Sequence, residues 1–219
     1  MNKFIATIER PPKTNPSSAD TRQRLIDAAA RMFAEKGFEN VTVREICKAS
    51  NANVAAVNYH FGDKAGLYRA VVLKAIDEMR ETNELSQRAG DGLSPEEQIR
   101  GFVRVFVSRL QGDGPTAWIH RLMAREMEKP TEVLDLVMTQ VLKPRIDYLC
   151  GVIGAITGFR PDDPRVSRCV TSLQIQCLVA ARPIPKPIAK SFPMADVDTM
   201  INHIVDFSLG GMRAIAEAK

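Results

Sequence analysis

Residues 42–67 read TVREICKASNANVAAVNYHFGDKAGL, short helical patterns separated by polar breaks. Thr42 precedes Glu45 by three positions, the spacing at which a hydroxyl and a carboxylate cap each other's backbone N–H groups at a helix start. Val43, Ile46 and Cys47 supply the inward face of that helix. Asn51-Ala52-Asn53 then interrupts it. Asparagine tolerates left-handed backbone, so Asn51 can make the tight turn that glycine usually makes. Asn53 can cap the next helix, Val54 to about His60, with Val57 and Phe61 facing inward. Asp63 caps another, in which Leu67, Val71 and Ala75 recur at helical spacing as far as about Glu84.

Upstream, a helix is expected from Asp20 or Thr21, with Leu25, Ile26, Ala29, Met32 and Phe33 on one face and Gly37 as its stop. Residues 1–19 carry Pro11, Pro12 and Pro16 among small polar residues and read as a flexible arm. Arg10 and Lys13 on it could follow phosphate or enter a minor groove. Downstream, Ser86 to Leu93 reads as a polar connection, and Ser94-Pro95-Glu96-Glu97 as a strong helix start. Further helices are expected over about Thr116–Lys129, over a long segment from Pro130 interrupted near Pro144, over 163–182, and from about Ala195 to Glu217. No alternating strand pattern of useful length occurs, which predicts an all-α chain. The expected organisation is an arm (1–19), a three-helix unit of helix-turn-helix pattern (20–68) and a larger helical domain (69–219).

The charge is uneven. Residues 1–80 hold 13 Lys and Arg against 9 Asp and Glu, whereas residues 81–219 hold 17 of each. The excess positive charge therefore lies in the first third, which fits a unit that meets a polyanion attached to a neutral body. No apolar run approaches the ~18 residues of a membrane span, and the start lacks the features of a secretory signal, so the chain is expected in the cytoplasm with no membrane partner. Cys47, Cys150, Cys169 and Cys177 form no C-x-x-C pair. They read as buried thiols rather than as a metal site, and no cofactor is expected.

Residues 42–67 resemble the DNA-binding domain of the TetR/AcrR family of transcriptional regulators. Thr42, Ile46, His60, Phe61, Lys64 and Leu67 fall on the family's positions. So does the preceding Leu25-Ile26-x-Ala28-Ala29-x-x-x-Phe33-x-x-x-Gly37-Phe38. Cys47, Asn51 and Asn53 depart from the family's Ala, Gly and Ser. The run NVAAVNYHFGDK is similar to the CecR branch in particular. The resemblance is specific over about residues 20–75. Beyond that it rests on the helical layout and on stretches such as LMAREMEKPT and LQIQCLVAARP.

The resemblance implies backbone contacts to DNA from Thr42, Tyr59, His60 and Lys64, with Arg44 a weaker candidate. The chemistry agrees: a helix start with free N–H groups and a lysine beside it favours phosphate. Asn53, Val54, Ala55 and Asn58 are the exposed positions of the short helix. There an asparagine can bond adenine bidentately and small apolar groups can meet a thymine methyl. In the second domain the resemblance implies a dimer built by the last two helices. Their apolar faces carry Val170, Leu173, Cys177, Leu178 and Ala181, then Met200, Ile204, Phe207, Met212 and Ile215. A two-fold dimer would read the half-sites of a palindromic operator in double-stranded DNA. A small-molecule effector would sit among the central helices. Candidates are Trp118, His120, Arg121, Met123, Arg125 and Glu126, and beyond them Tyr148, Gln174, Gln176 and Cys177. The expected function is a ligand-responsive homodimeric repressor. The alternative is a DNA-bound activator or protein-interaction module without a small ligand. Motifs for acyl transfer, phosphate cradling or zinc hydrolysis are missing from the sequence, so an enzyme is not expected.

Overall fold

The computed structural model describes residues 18–110, 117–180 and 196–218. Arg10, Lys13 and Ala181 lie outside them. The chain order is α1 (Ser18–Lys36), α2 (Val43–Ser50), α3 (Val54–Phe61), α4 (Lys64–Arg88), α5 (Pro95–Leu110), α6 (Ala117–Glu128) and α7 (Leu134–Val137). A single π turn (Met138–Leu142) leads into α8 (Lys143–Thr157), followed by α9 (Pro164–Ala180) and α10 (Val197–Glu217). Among the described residues there is no strand, and no helix is long and apolar enough to cross a membrane.

The punctuation of the first four helices is local chemistry. The Thr42 hydroxyl accepts from the Glu45 N–H at 3.2 Å, and Glu45 Oε2 accepts from the Thr42 N–H at 2.8 Å. Asn53 Oδ1 accepts from the Ala56 N–H, and Asp63 Oδ1 from the Gly66 N–H, each at 2.8 Å. Asn51 turns the chain at φ 50° and ψ 47°, in the left-handed region. Gly37 closes α1 at φ 83°. A side chain there would also meet the Arg125 guanidinium, since a Cβ would lie 3.3 Å from one of its terminal nitrogens.

Two departures from the expected elements have physical causes. First, α4 continues to Arg88 rather than ending near Glu84. Ser86 looks like the start of a polar connection in sequence, yet it is buried, as are Thr82 and Asn83 just before it. The Thr82 and Ser86 hydroxyls donate to carbonyls four residues back, Glu78 O and Thr82 O, at 3.0 and 2.7 Å. The Asn83 amide donates to Val141 O at 3.0 Å. Polar side chains that bond the helix's own backbone can be buried at little cost. Second, the interruption near Pro144 is a wide turn rather than a break. Proline has no N–H to give the helix, and its ring crowds the carbonyl four residues earlier. The Lys143 N–H instead reaches Met138 O, five residues back.

Two hydrophobic cores result. One gathers Phe33, Ile46, Val57, Leu67 and Val71 from α1–α4, and continues through Trp118, Ile119 and Leu122 of α6 to Val137 and Val141. The other joins Phe102 and Phe106 of α5 to Leu149, Leu173, Ile204 and Val205 of α8–α10. Each fully buried Leu, Ile or Phe is worth roughly 1.5–3 kcal/mol. The division anticipated at residue 68 falls inside α4, and the first core takes in helices from both sides of it.

The left-handed turn yields a stability prediction. Asn51 is exposed, so a substitution there acts through its backbone rather than through packing. In urea denaturation Asn51→Val should cost about 1–2 kcal/mol, the penalty for a branched residue in the left-handed region. Asn51→Gly should change stability by less than about 1 kcal/mol.

Candidate functional site

The three N-terminal helices leave one face of α3 to solvent. Asn53, Val54, Ala55, Asn58 and Tyr59 are all exposed, while Val57 is fully buried and Phe61 packs against the first core. Tyr59 is 81 % exposed and Val54 is 44 % exposed, so α3 shows unsatisfied apolar surface next to amides. Tyr59 and His60 meet edge to face with ring centroids 4.9 Å apart. Thr42 and Arg44 are exposed at the start of α2. The sequence-predicted DNA residues thus gather around α3 and the start of α2.

Three of these residues are partly occupied. The Thr42 hydroxyl proton is given to Glu45 Oε2 at 2.8 Å. The Asn53 oxygen is used as the α3 cap, which leaves its NH2 group for an acceptor. Lys64 Nζ sits 4.5 Å from the Phe38 ring centroid and within 3.5 Å of Glu39 O, turned toward the α1–α2 loop. Arg22 was not anticipated from the sequence. It is exposed on α1, with its guanidinium 5.4 Å from the Phe61 ring centroid, and so stands beside the end of α3. Only the packing of α1 on α3 brings it there, and no local motif marks it.

A cavity of about 200 Å³ opens at the seam between the two cores. Helix α6 lends it Ile119, His120, Met123 and Met127, and α4 lends Glu78 and Met79. Phe106 and Arg109 of α5, Arg145 of α8 and Leu178 of α9 complete its wall. Of the candidates read from the sequence, His120 and Met123 line it. Trp118 is buried in the first core instead, and Arg121 is exposed. Tyr148 packs near Phe102, with ring centroids 6.2 Å apart. Gln174 is half-buried on α9 away from the lining. Gln176 bonds Ser208 of α10 at 3.3 Å. Cys177 is fully buried, and that burial pushes its thiol up to about 12. Arg145 escaped the sequence reading because a lone arginine after a proline carries no signal of burial.

Arg125 and Glu126 form a joint between the units. Arg125 Nε donates to Ala34 O at 3.0 Å, and a terminal nitrogen donates to Glu35 O at the end of α1. Glu126 is 1 % exposed. Its carboxylate accepts from the Tyr68 hydroxyl of α4 and, at 3.0 Å, from the Thr131 hydroxyl. Lys129 adds an exposed ion pair to Glu39 at 3.4 Å.

The predicted dimer faces divide. Val170, Leu173, Cys177, Ile204 and Met212 belong to the internal core. Leu178, Met200 and Ile215 pack partly against it. Phe207 alone of the described residues in that set is fully outward, 65 % exposed. It is joined by Ile175 and Val179 of α9, 55 % and 57 % exposed, which the sequence reading passed over. Beside Phe207, Gly210 and Gly211 face open space.

A short helix presented by a tight turn on a small three-helix unit, carried by a helical body with a cavity, defines a helix-turn-helix DNA-binding regulator. The comparisons agree. Residues 25–71 match the profile described as bacterial regulatory proteins, tetR family. Residues 95–212 match that of the C-terminal domain of the HTH-type transcriptional dual regulator CecR. CecR of Shigella flexneri is 31 % identical over 153 residues, 66 % of this chain and 68 % of the relative. AcrR of the same organism is 35 % identical over 89 residues, 37 % of this chain and 39 % of that protein. In fold, a TetR-like regulator from Rhodococcus sp. RHA1 gives a TM-score of 0.66 at 18 % identity, covering 91 % of this chain and 98 % of the other. The ketosteroid regulator KstR2 of Mycobacterium tuberculosis gives 0.64 at 18 % identity, covering 91 % and 96 %. This chain belongs to the TetR family of bacterial transcriptional regulators, with a CecR-type C-terminal domain. It is a DNA-binding regulator and not an enzyme.

The capping box gives a pH prediction. The Thr42 backbone N–H first, then the Lys36 ammonium and the Thr42 hydroxyl, hold the Glu45 carboxyl down to about 2 from an ordinary 4.5. A lowered folded-state value means the contribution is full above the unfolded value and is lost as pH falls through the folded one. The stability gap between the native chain and Glu45→Gln should therefore be present at neutral pH. It should close between about 4.5 and about 2, as read by urea denaturation across pH.

Proposed function

We propose that this chain is a homodimeric, ligand-responsive repressor that binds a palindromic operator in the cytoplasm. One observation carries the ligand response: α6 touches both the cavity and the DNA-binding unit. Ile119, His120 and Met123 line the cavity, while Arg125 and Glu126 on the same helix hold the end of α1 and Tyr68 of α4. A molecule that enters the cavity presses on the helix that positions α1. If it binds better to one setting of α6 than to another, it shifts the spacing of the two α3 helices in a dimer. The exposed Ile175, Val179 and Phe207 supply an apolar face for that dimer, and the bare backbone at Gly210 and Gly211 allows close helix approach. A two-fold axis there turns one short reading helix into two, so the site is a palindrome with half-sites about one turn of DNA apart.

On the DNA, α3 lies in the major groove. Asn53, Val54, Ala55 and Asn58 meet base edges, while Tyr59, His60, Arg44 and Lys64 meet phosphates. Thr42 joins them by turning its hydroxyl from Glu45 to a phosphate oxygen, and Lys64 by leaving the Phe38 ring.

The test is footprinting of the upstream region with the purified chain, followed by binding titrations against operator and random DNA over a salt series. A protected palindrome supports the reading. Affinity equal to that for random DNA at every salt concentration sinks it. Lys64→Ala should weaken both DNAs alike and reduce the log–log salt slope by about 1. Asn58→Ala should leave the slope unchanged and lose about 1–3 kcal/mol of discrimination at one base pair.

A further inference from the structure

The wall of the seam cavity is mostly hydrocarbon, and one side chain does not belong with that lining. Arg145, in the first turn of α8, is only 7 % exposed and borders the cavity. Its guanidinium lies 4.9 Å from the centroid of the Phe106 ring. Its Nε is buried without a hydrogen-bond partner. Among the described residues no carboxylate pairs with it, and its one electrostatic neighbour is the Cys177 thiol. Burial pushes its pKa down to about 10, which leaves it charged at neutral pH.

The other ionic groups of the wall do not neutralise it. Arg109 is held at 3.1 Å by both Glu81 and Thr82. Glu78 reaches the lining but forms no ion pair with Arg145. A buried charge is ordinarily paired, because taking an ion out of water is costly. The ring face of Phe106 offsets part of that cost. It cannot satisfy the planar N–H fork, whose matching partner is a carboxylate, sulfonate or phosphate.

We propose that the cavity binds a small organic anion, an apolar body ending in one acidic group whose charge pairs with the Arg145 guanidinium. The proposal rests on the effector reading above and names the class of molecule that enters. At about 200 Å³ the space suits a small acid rather than a drug-sized ligand, which occupies roughly 300–1,000 Å³. Met79, Met123 and Leu178 receive the apolar body, and methionines adapt to its shape.

The test is calorimetric titration of the full chain with matched acid and amide probes: octanoate against octanamide, and naphthalene-2-carboxylate against its amide. The native chain should bind each acid at least about tenfold more tightly than its amide, as expected for a desolvated charge-assisted pair. In Arg145→Met that ratio should fall to about one with amide binding unchanged, and Arg145→Lys should keep part of it. Arg145→Met should melt no lower than the native chain, since it removes an unpaired buried charge. Equal binding of acid and amide, or an acid preference that survives in Arg145→Met, overturns the anion site and leaves the effector reading standing. A melting midpoint several degrees lower in Arg145→Met overturns the anion site too, because the charge would then be satisfied within the fold. Failure of every probe, acid and amide alike, overturns both readings. Release of operator DNA by the acids, followed by fluorescence anisotropy, tests the effector reading separately.

Discussion

A helix ends with carbonyls that have no partner within the helix, and something outside must meet them. At the end of α1 that partner is Arg125, reaching across from α6 to Ala34 O and Glu35 O. The cation also lies at the negative end of the α1 dipole. Gly37 is bare where the guanidinium passes. The next residue of α6, buried Glu126, is held by Tyr68 and Thr131. Removing one partner of a buried polar group leaves the other unsatisfied, which costs more than losing a surface pair. So α6 cannot drift from the DNA-binding unit without stranding both α1 carbonyls and a buried carboxylate. The position of α3, and with it any reading of DNA, depends on this joint.

The joint also explains why the two cores do not follow the order of the chain. Trp118, Ile119 and Leu122 belong to the core of the N-terminal helices although they lie far along the sequence. The second core is closed by α5 and α8–α10. What remains between them is a seam lined from both sides. A cavity there is less a hole in a domain than the gap left where two packed units meet, the kind of place where ligands commonly bind. The same helix, α6, forms one wall of this gap and holds the end of α1, and that shared helix is what the proposed ligand response rests on.

Much of the N-terminal unit was legible because its instructions are local. Thr42 with Glu45, Asn51, Asn53 and Asp63 each act within three or four residues, and each takes the predicted role. Polar residues misled where they bond their own helix. Ser86 read as the start of a connection, yet its hydroxyl finds the Thr82 carbonyl and disappears into the interior. The amphipathic faces of α9 and α10 were found, but their division was not. Apolar periodicity shows that a side is buried without showing whether the chain's own core or another copy does the burying. Val170 and Ile204 turned inward, and Phe207 turned out. Arg22 and Arg145 gave no signal at all, since their surroundings come from helices distant in sequence.

Arg145 shows how such a residue comes to be inside. Val137, Val141, Arg145, Leu149 and Ile153 are all buried and stand four residues apart. In an α-helix of 3.6 residues per turn, each step of four rotates the face by about 40°. Five such positions would wind well around the axis. The π turn at Met138–Leu142 lies at the start of this run. Its wider winding takes back part of the rotation, so the stripe stays aimed at the interior. Pro144 favours that turn, because it gives the preceding residues no N–H and crowds the carbonyl four back. The proline therefore does more than interrupt a helix. It keeps the position after it on the inward stripe, where the sequence has placed a guanidinium rather than a leucine. A leucine there would simply have extended the core. An arginine leaves a buried charge bordering the seam cavity.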